Sequence, residues 1–169
     1  MLPPLRCSGL RGMAWVMVMI VADQYTKYWV MSQLPLGHVY PVFEGLNWVH
    51  AHNRGIALSL FSDASQGWLN LLTALSCAVI IALSLALRCL RATQYRLCAV
   101  IVLLLGGAIG NLIDRIRWGY VIDWIDVYWR HWHFPAFNLA DAAITLGALI
   151  VLCLPHQDLA LWMKASQNK

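Results

Sequence analysis

Eight carboxylates are all that this 169-residue chain carries, and Asp23, Asp114, Asp123 and Asp141 stand inside or at the rim of long apolar runs. A charge in such a setting is expensive to keep, so each one needs a purpose. Asp123 lies in Val121-Ile122-Asp123-Trp124-Ile125-Asp126, an acid among apolar neighbours. Desolvation raises a carboxyl pKa, and a second carboxylate nearby raises one member of the pair further. Two such acids brought together would share a proton. One could then take a proton from water while the other donates to a scissile carbonyl. Asp141 flanks the same connecting segment as Asp123, which makes their meeting feasible.

The spacing around these acids allows plainer readings as well. Asn138, Asp141 and Thr145 recur at i, i+3 and i+7, one stripe of a helix otherwise made of Ala, Leu, Ile and Val. There Asn138 could simply cap the helix and Asp141 could favour its positive end. Gly107, Asn111, Asp114 and Arg115 share a side of another helix. Their plain reading is helix packing, with Asp114 and Arg115 paired locally or solvated. Arg115 near a carboxylate cluster could instead hold one acid ionised. Asp23 and Lys27 form an acid-to-base pair at i, i+4, the favourable helix order, and read as a mutually neutralising clamp. His50-x-His52 and His131-x-His133 would each set two imidazoles on one strand face, but no H-E-x-x-H pattern accompanies them. No metal site is expected.

The elements that must position these residues are apolar blocks. Apolar residues make up 60% of the chain and charged ones 12%, against about 45–50% and about 25% in soluble domains. The excess falls in Gly12–Met31, Trp68–Leu87, Leu97–Ile116 and Asn138–Leu154, each near the roughly 17–25 residues that a bilayer span needs. The expected fold is an all-α polytopic membrane protein of four transmembrane helices, residues 1–169 forming one integral-membrane domain. With an even number of spans both termini share a side. That side holds seven of the twelve Lys and Arg but, of the carboxylates, Asp158 alone, so both termini are expected in the cytoplasm.

Two external segments remain, 32–67 and 117–137. The first places turn formers at Pro35, Gly37, Pro41, Gly45, Asn53 and Gly55 between β-prone runs such as Leu46–Val49, which predicts a small sheet on the membrane surface. The second is rich in aromatic residues and its secondary structure is ambiguous by pattern. Seven of the nine tryptophans lie at or beyond external span ends, as an interfacial belt would. The five cysteines all avoid the external loops, so no disulfide framework is expected.

Together these blocks resemble the signature of lipoprotein signal peptidases, the bacterial signal peptidase II family of aspartyl peptidases. The resemblance is carried, in order, by Asp23-Gln24-Tyr25-Thr26-Lys27, Asn53-Arg54-Gly55-Ile56-Ala57, the run Gly106 to Arg115, Val121-Ile122-Asp123, and Phe137-Asn138-Leu139-Ala140-Asp141. It implies an inner-membrane endopeptidase that cuts prolipoproteins just before their diacylglyceryl-modified cysteine. Asp123 and Asp141 would be the catalytic dyad. Asn111, Arg115 and Asn138 would line and orient it, Asn53 would help hold substrate, and Asp23 would support the site. Lys27, Gly55 and Asp114 complete the expected supporting set. The active site would face the extracytoplasmic side, and the family is inhibited by the cyclic peptide globomycin. No cofactor and no nucleic acid are expected; lipidated prolipoproteins and membrane lipid are the expected partners of a monomer. Two departures stand out: Arg54, Ile56 and Leu58 occupy a block that usually reads Asn-Thr-Gly-Ala-Ala-Phe, and Trp124 follows Asp123 where Phe is usual. Rival classes are a small proton-coupled transporter, whose acids would gather near the bilayer midplane, and a non-catalytic assembly subunit.

Overall fold

The computed structural model of the chain describes residues 3–5, 8–55 and 66–155. Arg6, Cys7, Ile56, Ala57, Leu58, Asp158, Lys164 and Lys169, used in the reading above, lie outside the described residues.

The apolar blocks form helices α1 (Met13–Gln33), α2 (Gln66–Cys89), α3 (Tyr95–Trp118) and α4 (Leu139–Cys153). By length and composition α2 and α3 are apolar enough to cross a bilayer; α4 is a shorter apolar helix, and α1 carries Asp23 and Lys27. Helix α3 is the hub, packing against α1, α2 and α4. Between helices in lipid there is little hydrophobic drive, so close approach and polar contacts decide the packing. Two glycines of α3 provide that approach. A methyl group on Gly107 would collide with the Ala140 carbonyl of α4, and one on Gly110 would come within 2.6 Å of the Asp23 carboxylate of α1. The outward residues of the helices stay bare, among them Trp15, Val21, Leu75, Leu85, Leu149 and Leu152, a surface suited to lipid.

The two ends of the bundle differ. At one end Gly9 donates its backbone N–H to Leu90 O at 2.9 Å, tying the N-terminal segment to the α2–α3 turn. Leu87, Leu90, Leu97 and Ile101 form the buried core there, with Leu154 at the close of α4 packed on it. At the other end lies an antiparallel sheet in the order β1-β2-β3-β4, made of Val39–Phe43, Leu46–Asn53, Val121–Trp129 and Trp132–His133. The predicted sheet of the first external segment is therefore β1 and β2. The second external segment, ambiguous by pattern, adds β3 and β4 to the same sheet. Gly119 ends α3 in the left-handed conformation (φ 74°), its N–H bonded to Arg115 O, and the chain turns at once into β3. The aromatics brace this end: Trp29 of α1 meets Trp48 of β2 edge-on, and Tyr120 stacks on His52 at 3.7 Å.

Candidate active site

Asp123 stands on β3 beside Asn53, the last residue of β2, and Asp141 stands in the first turn of α4. The step between them is pinned. Phe137 pairs with Ile125 through two backbone hydrogen bonds of 2.8 and 3.0 Å, so the chain entering α4 lies along β3 and delivers Asn138 to Asp123.

Asn138 then touches both acids. Its amide Nδ2 donates to Asp123 Oδ1 at 2.8 Å, its Oδ1 accepts the Asp141 backbone N–H at 2.9 Å, and its own N–H donates to Asp141 Oδ2 at 3.3 Å. The last two contacts are a capping box, in which the helix's orphan N–H groups are met reciprocally. The capping reading of this stripe is thus realised. The cap that starts α4 also orients Asp141.

The two acids sit in different surroundings. Asp123 is 1% exposed and accepts from Asn53 Nδ2 at 2.9 Å as well as from Asn138. Burial pushes its carboxyl up to about 7, the charge of Asp141 pushes the same way, and the two amide donors oppose them by favouring the ionised form. Asp141 is only partly buried. It accepts from Asn111 Nδ2 at 2.8 Å and borders an apolar groove of about 450 Å³ formed with Phe134, Phe137, Ala142, Thr145, Leu146 and Leu149. Its lining follows α4 from Asp141 to Leu149.

Behind the dyad lies a sealed ionic cluster. Lys27 Nζ is 2.8 Å from Asp23 Oδ2 and 2.8 Å from Asp114 Oδ2, with all three side chains 1% exposed. The i, i+4 clamp of Asp23 and Lys27 is present, but Asp114 joins it rather than pairing with its neighbour Arg115. A shared helix side could not reveal that partner, because it arrives from α1. Asp114 also accepts the Ile122 N–H at 3.2 Å, and Asp23 accepts the Ala140 N–H at 3.0 Å. The cluster therefore grips the start of β3 and the start of α4. Arg115 reaches Gly55 O at 3.4 Å and faces the charges of Asp141, Asp114 and Asp123. Asn53 Oδ1 accepts the Gly55 N–H at 2.9 Å, which shapes the turn beyond β2. All ten residues singled out in the sequence thus gather at one end of the bundle.

Gln24 belongs to this set and was not among them. Its Nε2 lies 2.9 Å from Asp114 Oδ1 and 3.2 Å from Gly110 O. Its place beside Asp23 on the polar side of α1 was the available signal. A second polar cluster also escaped notice: Asp126 accepts from Asn47 at 2.8 Å and lies 2.9 Å from His133 Nδ1. The histidine pairs read as possible strand-face ligands are used otherwise. His50 Nδ1 bonds Leu34 O at 2.8 Å, and burial beside His50 and Arg54 lowers the pKa of His52 below its usual value.

Comparison with known proteins follows the same lines. The sequence profile described as Signal peptidase (SPase) II matches residues 15–155. The chain is 43% identical over 148 residues to a lipoprotein signal peptidase of Shewanella halifaxensis, covering 86% of this chain and 85% of the relative. It is 46% identical over 134 residues to one of Acinetobacter baumannii, covering 79% and 76%. A solved structure of a bacterial membrane enzyme superposes with a TM-score of 0.74 at 28% identity, over 94% of this chain and 92% of the other. The chain belongs to the signal peptidase II family and is, by that membership, a membrane peptidase.

Proposed function

We propose that the chain removes the signal peptide from diacylglyceryl-modified prolipoproteins, cutting just before the lipidated cysteine, with Asp123 and Asp141 as an aspartyl dyad. The observation that carries this reading is Asn138 standing between the acids, its side-chain amide donating to Asp123 and its backbone N–H donating to Asp141. Two carboxylates held together in a dry site cannot both remain charged, so the pair keeps one proton near neutral pH. The ionised member draws a proton from water, which attacks the peptide carbonyl, while the protonated member donates to the carbonyl oxygen. A tetrahedral intermediate forms and collapses as its C–N bond breaks: the base returns the proton it took from water to the leaving cysteine amine, and the signal peptide departs with the new carboxyl group. Asp123, sealed and shifted up to about 7, suits the proton donor; Asp141, open to the groove, suits the base. As in any coupled pair, the measured pKa values would belong to the dyad as a unit.

In this reading the four helices span the bacterial inner membrane with both termini in the cytoplasm, and the sheet lies at the extracytoplasmic surface. Asn111 and Arg115 orient the dyad, Asn53 and Gly55 shape the substrate side, and Asp23, Lys27 and Asp114 hold the framework. The chain acts as a monomer. The groove beside Asp141, apolar along α4, suits a substrate that arrives through lipid. The test is cleavage of a purified diacylglyceryl-modified prolipoprotein by wild type, Asp123→Asn and Asp141→Asn, with chelator and globomycin controls. Wild-type cleavage that survives chelator, is blocked by globomycin and is lost in both variants is expected. Wild-type rates in both variants would refute the dyad.

A further inference from the structure

We propose that Lys27 is a positioning residue for the dyad, acting through Asn111 on Asp141; this rests on the dyad reading above. An ammonium has three N–H donors. Two of them meet Asp23 and Asp114 at 2.8 Å, and the third meets Asn111 Oδ1 at 3.1 Å. Bridging the two acids needs only the first two contacts. The third points toward the dyad.

Its consequence lies in the orientation of the Asn111 amide. Asn111 Oδ1 accepts from Lys27 on one side and from Asn138 Nδ2, at 3.2 Å, on the other. With its oxygen so occupied, its Nδ2 must face outward, where it donates to Asp141 Oδ1 at 2.8 Å. The flipped amide would set an NH₂ group against an ammonium and a second NH₂, and would turn its oxygen toward a carboxylate oxygen. Each of those contacts is repulsive. A buried cation thereby fixes one amide, and that amide fixes which oxygen of Asp141 is engaged and which way the carboxylate lies. Lys27 is 1% exposed, so it does not meet the substrate, and its influence falls on kcat and not on KM. The charged groups facing Asp141 are Asp123 from β3, Arg115 from α3, and Lys27 and Asp23 from α1. Lys27 is the cation joined to it through a single side-chain amide, that of Asn111.

The experiment is a double-mutant cycle on kcat with Lys27→Met, Asn111→Ala and the double variant in detergent or nanodiscs, on the lipidated substrate. Each single change is expected to lower kcat by about 10- to 100-fold, as small misplacements of a reacting group do. The double variant should lose no more than the worse single one, since the two residues act along one chain of contacts. KM should stay within about twofold, and the acid limb of the kcat/KM profile should move to higher pH as the dyad loses support for its ionised member. Because Lys27→Met strands two buried carboxylates, Lys27→Met/Asp114→Asn is measured against Asp114→Asn alone. Unchanged kcat on that comparison would make Lys27 a structural counter-ion and overturn the proposal. So would multiplicative losses in the cycle, or wild-type kcat in Asn111→Ala. Failure of the wild-type enzyme to cleave at all would instead overturn the dyad reading beneath it.

Discussion

Two pairs of carboxylates share this end of the molecule, and what separates them is the group placed between. Asp23 and Asp114 are bridged by an ammonium, Lys27, at 2.8 Å to each. Asp123 and Asp141 are linked through neutral Asn138, whose side-chain amide donates to one and whose backbone N–H donates to the other. A cation between two acids offsets their repulsion where they stand, and the result is a framework strut, here gripping α1, α3, β3 and α4. An amide leaves the repulsion in place, so the pair relieves it by holding a proton. On the proposed mechanism, the same residue type is framework in one place and reagent in another. The difference is whether an ammonium sits in direct contact with both acids.

That contrast can be broken most forcefully by comparing activity with stability. Asp123→Asn should cut cleavage by at least about a thousandfold, the scale on which lost members of a catalytic unit act, with little change in the unfolding midpoint. Lys27→Met should weigh the other way, destabilising by about 3–5 kcal/mol through two stranded buried charges, as read by chemical or thermal unfolding in detergent, while its kcat falls by only about 10- to 100-fold. Equal stability losses from the two would erase the distinction. Asn138→Ala comes next. Losing the cap should cost about 1 kcal/mol, while the rate falls much further because both acids lose their common anchor.

The pH dependence sharpens the comparison further. Asp123 titrates at about 7 when folded, above the ordinary aspartate value of about 3.9. The stabilisation from its proton is therefore complete below about pH 4 and is lost as pH rises through about 7. Cleavage should show a basic limb in that same region, since a doubly ionised dyad has no proton to donate. A kcat/KM profile flat from pH 6 to about 9 would contradict this. The smallest effect is expected from Asn53→Ala, which removes one donor favouring ionised Asp123. The basic limb should shift upward by less than about one unit, with kcat altered modestly.

Much of this arrangement was legible in the chain, for reasons that differ by element. The helices announce themselves because long apolar runs are costly outside a bilayer or a core. The Asp23–Lys27 pair was readable because one helix turn brings its members together. Asp114 was recognisable as a polar residue on a particular side of α3, but not as the third member of that pair. Its cation lies 87 residues away in sequence, and no local rule reaches so far. Strand β3 was hidden for a related reason. Its inward residues, Val121 to Asp123, are buried together at its start, so the alternation that marks a half-exposed strand is blurred. Its pairing partner is β2, contributed by the other external segment. Asp126 and His133 went unseen because they meet only across the β3–β4 hairpin, a pairing that the pattern of the second segment did not reveal.

The capping box on α4 carries one further consequence. Asp141 is proposed to act on substrate, yet its backbone and side chain also close the first turn of the helix. Helix ends fray before helices melt. Each opening of that turn would release Asp141 from Asn138 and leave the peptidase momentarily unassembled, with the rest of the bundle intact. Catalysis would then sample the order of a single helical turn. On warming, turnover would decline ahead of any loss of helical content, and a lipid or ligand that clamps the entry to α4 would raise the working temperature of the enzyme without raising its global melting point.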